Sequence, residues 1–435
     1  MKKTFLMISV MFIFSTFSKA QWEIVKDNPV WGNAWSIDAF DTSSMVVGAN
    51  RGGLYFKTAE NSWDSVYFPK QYVYDVEMIS KNIVLVGTGE GFGNIYKVNL
   101  TDKSKTLLFT NPSKDCINYI EIFEDGSGIA MGDGDFDQNY PVLLKTEDWG
   151  ESWETIETGE LMAATGDLWR RVDFLSTEVG YLQPCCSFNI PRGIYKTTDG
   201  GLTWNQVGSN EVMNFKFYNE DIGLTYDGSS FENEDTLYYK GVITRTLDGG
   251  ETWEVTDTLE KMGWGQDFEF LLGDPSKVWF SNGSGLYHSS DTGRTWEKYN
   301  DNNLPLNASD IVFIDHQNGF AVGGIGVILK TNNGGGLITK VEDVNSAPIN
   351  FSLMQNYPNP FNPATKISFS IPELADVQLK IFDVLGREVS LLINEEKPAG
   401  NYEVEFNASK LASGIYFYRL KSGKFIDTKK MTLIR

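Results

Sequence analysis

The chain has 435 residues, of which 41% are hydrophobic and 14% aromatic, with 42 glycines but only 3 cysteines. It carries 37 Lys and Arg against 58 Asp and Glu, a formal net charge of −21. That balance excludes charge-driven binding to nucleic acid or to an anionic membrane surface, and so few cysteines exclude a disulfide framework or a structural zinc site.

Residues 1–20 open with Met1-Lys2-Lys3, run through an apolar stretch from Phe5 to Phe17 and end in Ser18-Lys19-Ala20. These are the charged, apolar and small-residue parts of a signal peptide. The apolar stretch is too short for a convincing span and no other segment approaches one, so the mature chain is expected to start at Gln21 with no integral membrane segment. Gln21-Trp22-Glu-Ile-Val25 then reads as an outer strand with no hairpin before it.

From there the chain repeats itself. Lys57-Thr-Ala-Glu60-Asn-Ser-Trp63 is a shortened first copy, and Ile95 to Thr106 fills the place of a second without a recognisable motif. Four full copies follow: Thr146-Glu-Asp148-Trp-Gly150-Glu-Ser152-Trp153, Thr197-Thr-Asp199-Gly-Gly201-Leu-Thr203-Trp204, Thr246-Leu-Asp248-Gly-Gly250-Glu-Thr252-Trp253 and Ser289-Ser-Asp291-Thr-Gly293-Arg-Thr295-Trp296. A seventh, Lys330-Thr-Asn-Asn333-Gly-Gly335-Gly, has Asn for Asp and no Trp. Each motif joins two strand-like runs by a turn rich in Asp and Gly, as a β-hairpin requires, and two further strand-like runs precede each hairpin. Four antiparallel strands per repeat of some 40–45 residues is the blade of a β-propeller. The predicted fold is therefore all-β: a seven-bladed β-propeller over 21–342, its last blade closed by the strand at Trp22, and then a small C-terminal β-sandwich.

The motifs resemble the Asp-box (BNR) repeats of sialidases, sortilin-type receptors, two-propeller xyloglucanases and photosystem II assembly-factor-like propellers. The resemblance implies the fold and leaves the function open, because those families use one scaffold for different work. Asp148, Asp199, Asp248 and Asp291 are expected to serve their own turns, and Trp153, Trp204, Trp253 and Trp296 to pack at blade edges. A sialidase site needs three arginines around a carboxylate. The propeller has only Arg51, Arg170, Arg171, Arg192, Arg245 and Arg294, two of which belong to motif hairpins. The related xyloglucanases close their cleft between two propellers, whereas this chain has one. The expectation is a non-catalytic binding protein. A glycoside hydrolase with a carboxylate pair, or a protein-assembly propeller of the photosystem II assembly-factor type, stands as the alternative.

Binding is expected on the face opposite the motif turns, where the longer loops present Trp35, Arg51, Glu90, Trp169, Arg170, Arg192 and Trp264; aromatic and Arg side chains there suit a glycan or an envelope protein. Two further features fall on that face. Asp133, Asp135 and Asp137 alternate as in a Ca²⁺ loop, although the sixth-position Gly and the distal Glu are absent, so calcium and a plain solvated loop both stand as readings. Cys116 and Cys185 are placed on neighbouring blades, where an oxidising compartment would let them pair; Cys186 is the other candidate partner.

After a polar linker at 343–352 the composition changes. Asn356-Tyr357-Pro-Asn-Pro360-Phe361, Val377-Gln-Leu-Lys-Ile-Phe-Asp383-Val-Leu-Gly386-Arg-Glu-Val389 and Gly414-Ile-Tyr416-Phe-Tyr-Arg-Leu420 follow in order. Residues 353–435 resemble the type A C-terminal sorting domain of the type IX secretion system. The resemblance implies partnership with that secretion machinery in a Gram-negative bacterium, and a product released or held at the outer-membrane surface by way of the periplasm. Without this segment and the leader, residues 21–352 carry 23 basic and 49 acidic residues, a charge that keeps a propeller soluble outside the cell.

Overall fold

The computed structural model describes residues 22–25, 27–59, 62–90, 93–112, 116–133, 141–157, 172–184, 193–208, 212–233, 236–259, 267–282, 285–299, 308–336, 351–353, 356, 359, 361–372, 374–423 and 425–433. The chain divides into two compact units, Met1–Ile338 and Thr339–Arg435.

The first unit holds seven four-stranded antiparallel sheets, numbered here in chain order. Their innermost strands are Ala34–Asp41, Tyr72–Ser80, Ile117–Ile122, Val172–Phe174, Asn214–Phe217, Asp267–Leu271 and Ala308–Phe313. The strand from sheet 1 contacts those of sheets 2 and 7, and sheets 5, 6 and 7 continue the chain of contacts. Between sheets 3 and 4 the link is a hydrogen bond from the Phe174 N–H to the Tyr119 hydroxyl at 3.0 Å. This circular order of radial sheets is a β-propeller, with the hydrophobic clusters lying between neighbouring sheets.

Sheet 7 takes its fourth strand from the other end of the unit. Glu23–Ile24 pairs antiparallel with Lys330 and Leu329 of the strand Val327–Thr331. Two residues of pairing are little; the anchor is Trp22, which is 2% exposed. Its ring meets Trp279 edge-on at 5.5 Å and Phe313 at 5.9 Å. The Trp22–Phe313 contact repeats Trp204–Phe174 at 6.2 Å and Trp253–Phe217 at 6.1 Å. A residue some 300 positions away thus fills the slot that the Trp-less seventh motif leaves empty, and it does so where the sequence placed it.

The motif turns are built alike. In the second full copy, Thr197 Oγ1 donates to Asp199 Oδ1 at 2.8 Å and accepts the Gly201 N–H at 2.8 Å. Asp199 accepts the Thr203 N–H at 2.8 Å and its hydroxyl at 2.6 Å. The copies at Asp148, Asp248 and Asp291 repeat this set. The Asn333 copy keeps the Thr331 half of it, at 2.9 and 2.8 Å. Gly201 stands at φ +94°, and a Cβ there would lie 2.5 Å from Leu143 of the preceding sheet. Glycine is needed for both the left-handed backbone and the close approach. The tryptophans at 204, 253 and 296 donate Nε1 to their own glycine's carbonyl at 2.9–3.1 Å. The turn is therefore a fold device: its polar groups face inward on themselves.

The second unit is two antiparallel sheets. One holds Ser352–Leu353, Ala364–Ile371 and Gly400–Asn407; the other, Glu388–Lys397, Ala375–Asp383, Gly414–Ser422 and Phe425–Leu433. Strict alternation along Ala375–Asp383 sends Val377, Leu379 and Ile381 inward, where they join Ile367, Phe369, Tyr418 and Leu420 in one core. This is the expected sandwich.

Candidate functional site

The innermost strands are short and largely apolar, yet each of sheets 1–4, 6 and 7 carries an acid. These acids stand on the innermost strands, around the axis of the ring. There they line a cavity of about 340 Å³ with Asp38, Asp75, Glu77, Glu121, Asp173, Asp267, Glu269 and Asp310, against one cation, Lys216 of sheet 5.

Most of these carboxylates tie one sheet to the next. Asp310 accepts the Ile37 N–H at 2.8 Å, Asp38 that of Met78 at 2.6 Å and Asp75 that of Ile120 at 2.7 Å. Asp173 accepts the Phe217 N–H at 2.7 Å and Asp267 that of Ile311 at 3.0 Å. Each satisfies a backbone donor that would otherwise face the cavity unpaired. Lys216 lies 3.0 Å from the buried Asp173.

Crowding like charges raises their proton affinity. Burial, with the Asp310 charge added, pushes Asp75 up to about 7. Burial pushes Asp38 up to about 6 against its two backbone hydrogen bonds and Glu121 up to about 7 against the pull of Lys216. Glu77 and Glu269 are raised well above the carboxylate range by the same desolvation. For Lys216 burial works downward, but Asp173, Glu269 and Glu121 outweigh it and hold the ammonium well above its usual value. Fixed to the backbone of the neighbouring sheet, Asp38, Asp75, Asp173, Asp267 and Asp310 hold the ring together.

The face opposite the motif turns presents a different chemistry. Antiparallel pairing sets that face: in sheet 5, Gly223 pairs with Thr246 beside the motif, and the ladder runs to Asn233 with Thr236 at the far end. On that face Trp31 is 66% exposed, and the Arg51 guanidinium lies 4.4 Å from its ring centroid. Arg51 and Glu90, exposed at the second-to-third-strand connections of sheets 1 and 2, hold φ of +71° and +73°, a conformation that side-chain-bearing residues adopt at a cost. Trp35 packs between Tyr72 and Tyr74 at 5.3 and 5.0 Å, and Tyr74 lines the axial cavity. The structure therefore gathers Trp35 with the channel, and Arg51 with Trp31. Trp169, Arg170, Arg192 and Trp264 lie outside the described residues.

Asp133 turns inward at the loop end of sheet 3. Its Oδ1 accepts Asn118 Nδ2 at 2.9 Å and its Oδ2 the Cys116 thiol at 3.2 Å. Both oxygens are engaged within the protein, while Asp135 and Asp137 lie outside the described residues, as do Cys185 and Cys186. Among the described residues no group of three His, Cys, Asp or Glu side chains is arranged to hold a metal ion. Nor is any helix there long and apolar enough to cross a membrane. His288 packs on Trp279 at 5.0 Å, and burial lowers its proton affinity.

Sequence reasoning missed the axial carboxylates. Their signal was present as one or two acids in the first strand of nearly every unit, but it is spread across the whole repeat and lacks the motif's fixed spacing.

Comparison with known proteins bears on both units. Residues 355–434 match the family model of the secretion system C-terminal sorting domain. Residues 260–332 match that of the photosynthesis system II assembly factor YCF48. The photosystem II assembly lipoprotein Ycf48 of Nostoc sp. (strain PCC 7120 / SAG 25.82 / UTEX 2576) is 28% identical over 199 residues, 43% of this chain and 51% of the relative. That of Trichormus variabilis (strain ATCC 29413 / PCC 7937) is 26% identical over 196 residues, with the same coverage. The chain thus spans about half the length of these curated relatives. Among solved structures, YCF48 bound to a D1 peptide superposes with a TM-score of 0.54 at 16% identity, covering 71% of this chain and 96% of that one. An ancestral GH74 enzyme does so with a TM-score of 0.52 at 14% identity, covering 94% and 63%. These superpositions show a common propeller fold. The C-terminal unit is a secretion sorting domain, and the chain is a secreted propeller.

Proposed function

We propose that the mature protein is a non-catalytic propeller that binds a polypeptide of the cell envelope through the face opposite its motif turns, after export by the type IX route. The observation that carries this reading is the exposed Trp31 stacked by Arg51. An indole and a guanidinium held together at a surface are typical anchors of protein recognition. The named relatives are assembly factors, and one propeller of like fold has been solved with a peptide bound. The axial carboxylates support the non-catalytic half of the reading, because Asp38, Asp75, Asp173, Asp267 and Asp310 already serve backbone N–H groups of the next sheet. Export to the outer-membrane surface rests on the sorting domain.

Glycan recognition is the second reading, favoured by the same indole, whose ring suits the apolar face of a sugar. Incubating the mature protein with envelope extracts and with purified polysaccharides separates the readings. The expected result is capture of a protein, lost in Trp31→Ala, with no new reducing ends. Release of sugar that one carboxylate substitution abolishes would establish a hydrolase instead.

A further inference from the structure

The C-terminal unit closes its core and still leaves large apolar side chains in water at one end. The hairpin between Ala375–Asp383 and Glu388–Lys397 carries Val384 and Leu385 at its tip, 64% and 74% exposed. The tip is a built turn. Asp383 Oδ1 accepts the N–H groups of Leu385 at 3.0 Å and Arg387 at 2.9 Å, and Oδ2 accepts Arg387 Nε at 2.7 Å. Gly386 completes the reversal at φ +75°.

Behind the tip, the outer face of the sheet carries aromatic rings, one of which, Phe382, has the Arg419 guanidinium 5.0 Å from its centroid. Phe382 stands directly opposite Phe417 across the ladder, and both are half-buried. Ile415, two residues earlier on the Phe417 strand and so on the same face, is 44% exposed. None of these belongs to the core, which is complete with Ile381, Tyr418, Leu420 and their neighbours. A rigid turn that holds two aliphatic side chains out of the protein, beside a pair of aromatic rings, has the form of an anchor for a pocket: its conformational entropy is already lost before binding. Large aliphatic side chains held in water by a built turn mark an interaction site.

We propose that the Val384–Leu385 tip, with Phe382, Phe417 and Ile415 behind it, docks into an apolar pocket of a protein component of the secretion machinery. This rests on the reading of Thr339–Arg435 as the export signal. What identifies the occupant is the family match over residues 355–434: a folded sorting domain is recognised through side chains that its own fold does not use.

The test uses the full-length chain in its secreting host. Val384→Asp with Leu385→Asp is expected to leave the melting temperature of the purified protein unchanged. It should lower the amount reaching the surface or medium by about tenfold or more, as loss of central anchors does, with precursor accumulating in the periplasm. If the acidic pair unfolds the unit, the Ser pair at the same positions carries the same expectation. Export of a folded variant at the wild-type level would overturn the docking proposal. So would a wild-type dimer in light scattering that the variant breaks while export continues, since the tip would then be a self-contact. A chain lacking 339–435 is the control: if it too is exported normally, the export reading itself has failed.

Discussion

At the motif turns a single carboxylate takes up donors that the chain reversal would leave to water. The side-chain hydroxyl and then the N–H of Thr252 hold Asp248 down at about 2, and Asp199 is lowered by the same pair of bonds from Thr203. These aspartates are exposed, so their worth lies in fixing the turn's geometry rather than in a large free energy. The glycines are less forgiving. Gly335 stands at φ +70°, and a Cβ there would meet Trp279 Cζ2 at 2.3 Å and Trp22 Nε1 at 2.8 Å. Gly335→Ala is expected to cost about 1–3 kcal/mol from the backbone alone, more once the rings are displaced, read as a lower midpoint in urea. An unchanged midpoint would mean that the seventh turn does not dock as described. The turns were legible in the sequence because every group in them lies within eight residues. Asp199, Gly201 and Thr203 announce their contacts by spacing.

Among elements, the closing strand and the axial ring differ in how they could be read. Trp22 was predictable by subtraction: one turn lacked its Trp, and one strand with a Trp lacked its turn. Trp22→Ala removes a buried ring and should destabilise the propeller by about 3–5 kcal/mol, seen in chemical denaturation; a loss below about 1 kcal/mol would show that sheet 7 holds without it. The axial acids could not be read this way. Asp38, Asp75 and Asp310 are far apart along the chain and meet only when the ring of sheets forms. Their chemistry still gives a testable sign. Asp38, Asp75 and Glu121 have folded values of about 6, 7 and 7 against ordinary values of 3.8, 3.8 and 4.5. The folded state therefore holds protons that the unfolded chain has lost, so stability falls as pH rises from about 4 through about 7. The propeller is expected to melt higher at pH 5 than at pH 8, as thermal unfolding at the two values would show. Lys216→Met leaves Asp173 unpaired among other acids and should cost roughly 3–5 kcal/mol at pH 8, and less at pH 5. A flat pH profile with an equal loss at both values would contradict the charged ring.

Taken whole, the molecule separates its tasks by location. Motif turns occupy one end of every sheet they serve and are consumed in holding it. The carboxylates along the axis are largely consumed in joining sheet to sheet. At the other end Trp31 and Arg51 stand in solvent, and it is there that we propose a partner binds. That division explains how far the sequence reached: a repeat with internal bonding declares fold, whereas a recognition surface is assembled from single residues on separate loops. It also directs the decisive measurement. A photo-crosslinking residue placed at position 90, exposed on the same face as Trp31, or in a separate variant at Leu202, which is 56% exposed on a motif turn, reports which face meets the partner when the mature protein is mixed with envelope extract. Adducts to a discrete protein from position 90 and none from position 202 are the predicted result. Adducts from position 202 alone, or equally from both, would contradict the assignment of the working face.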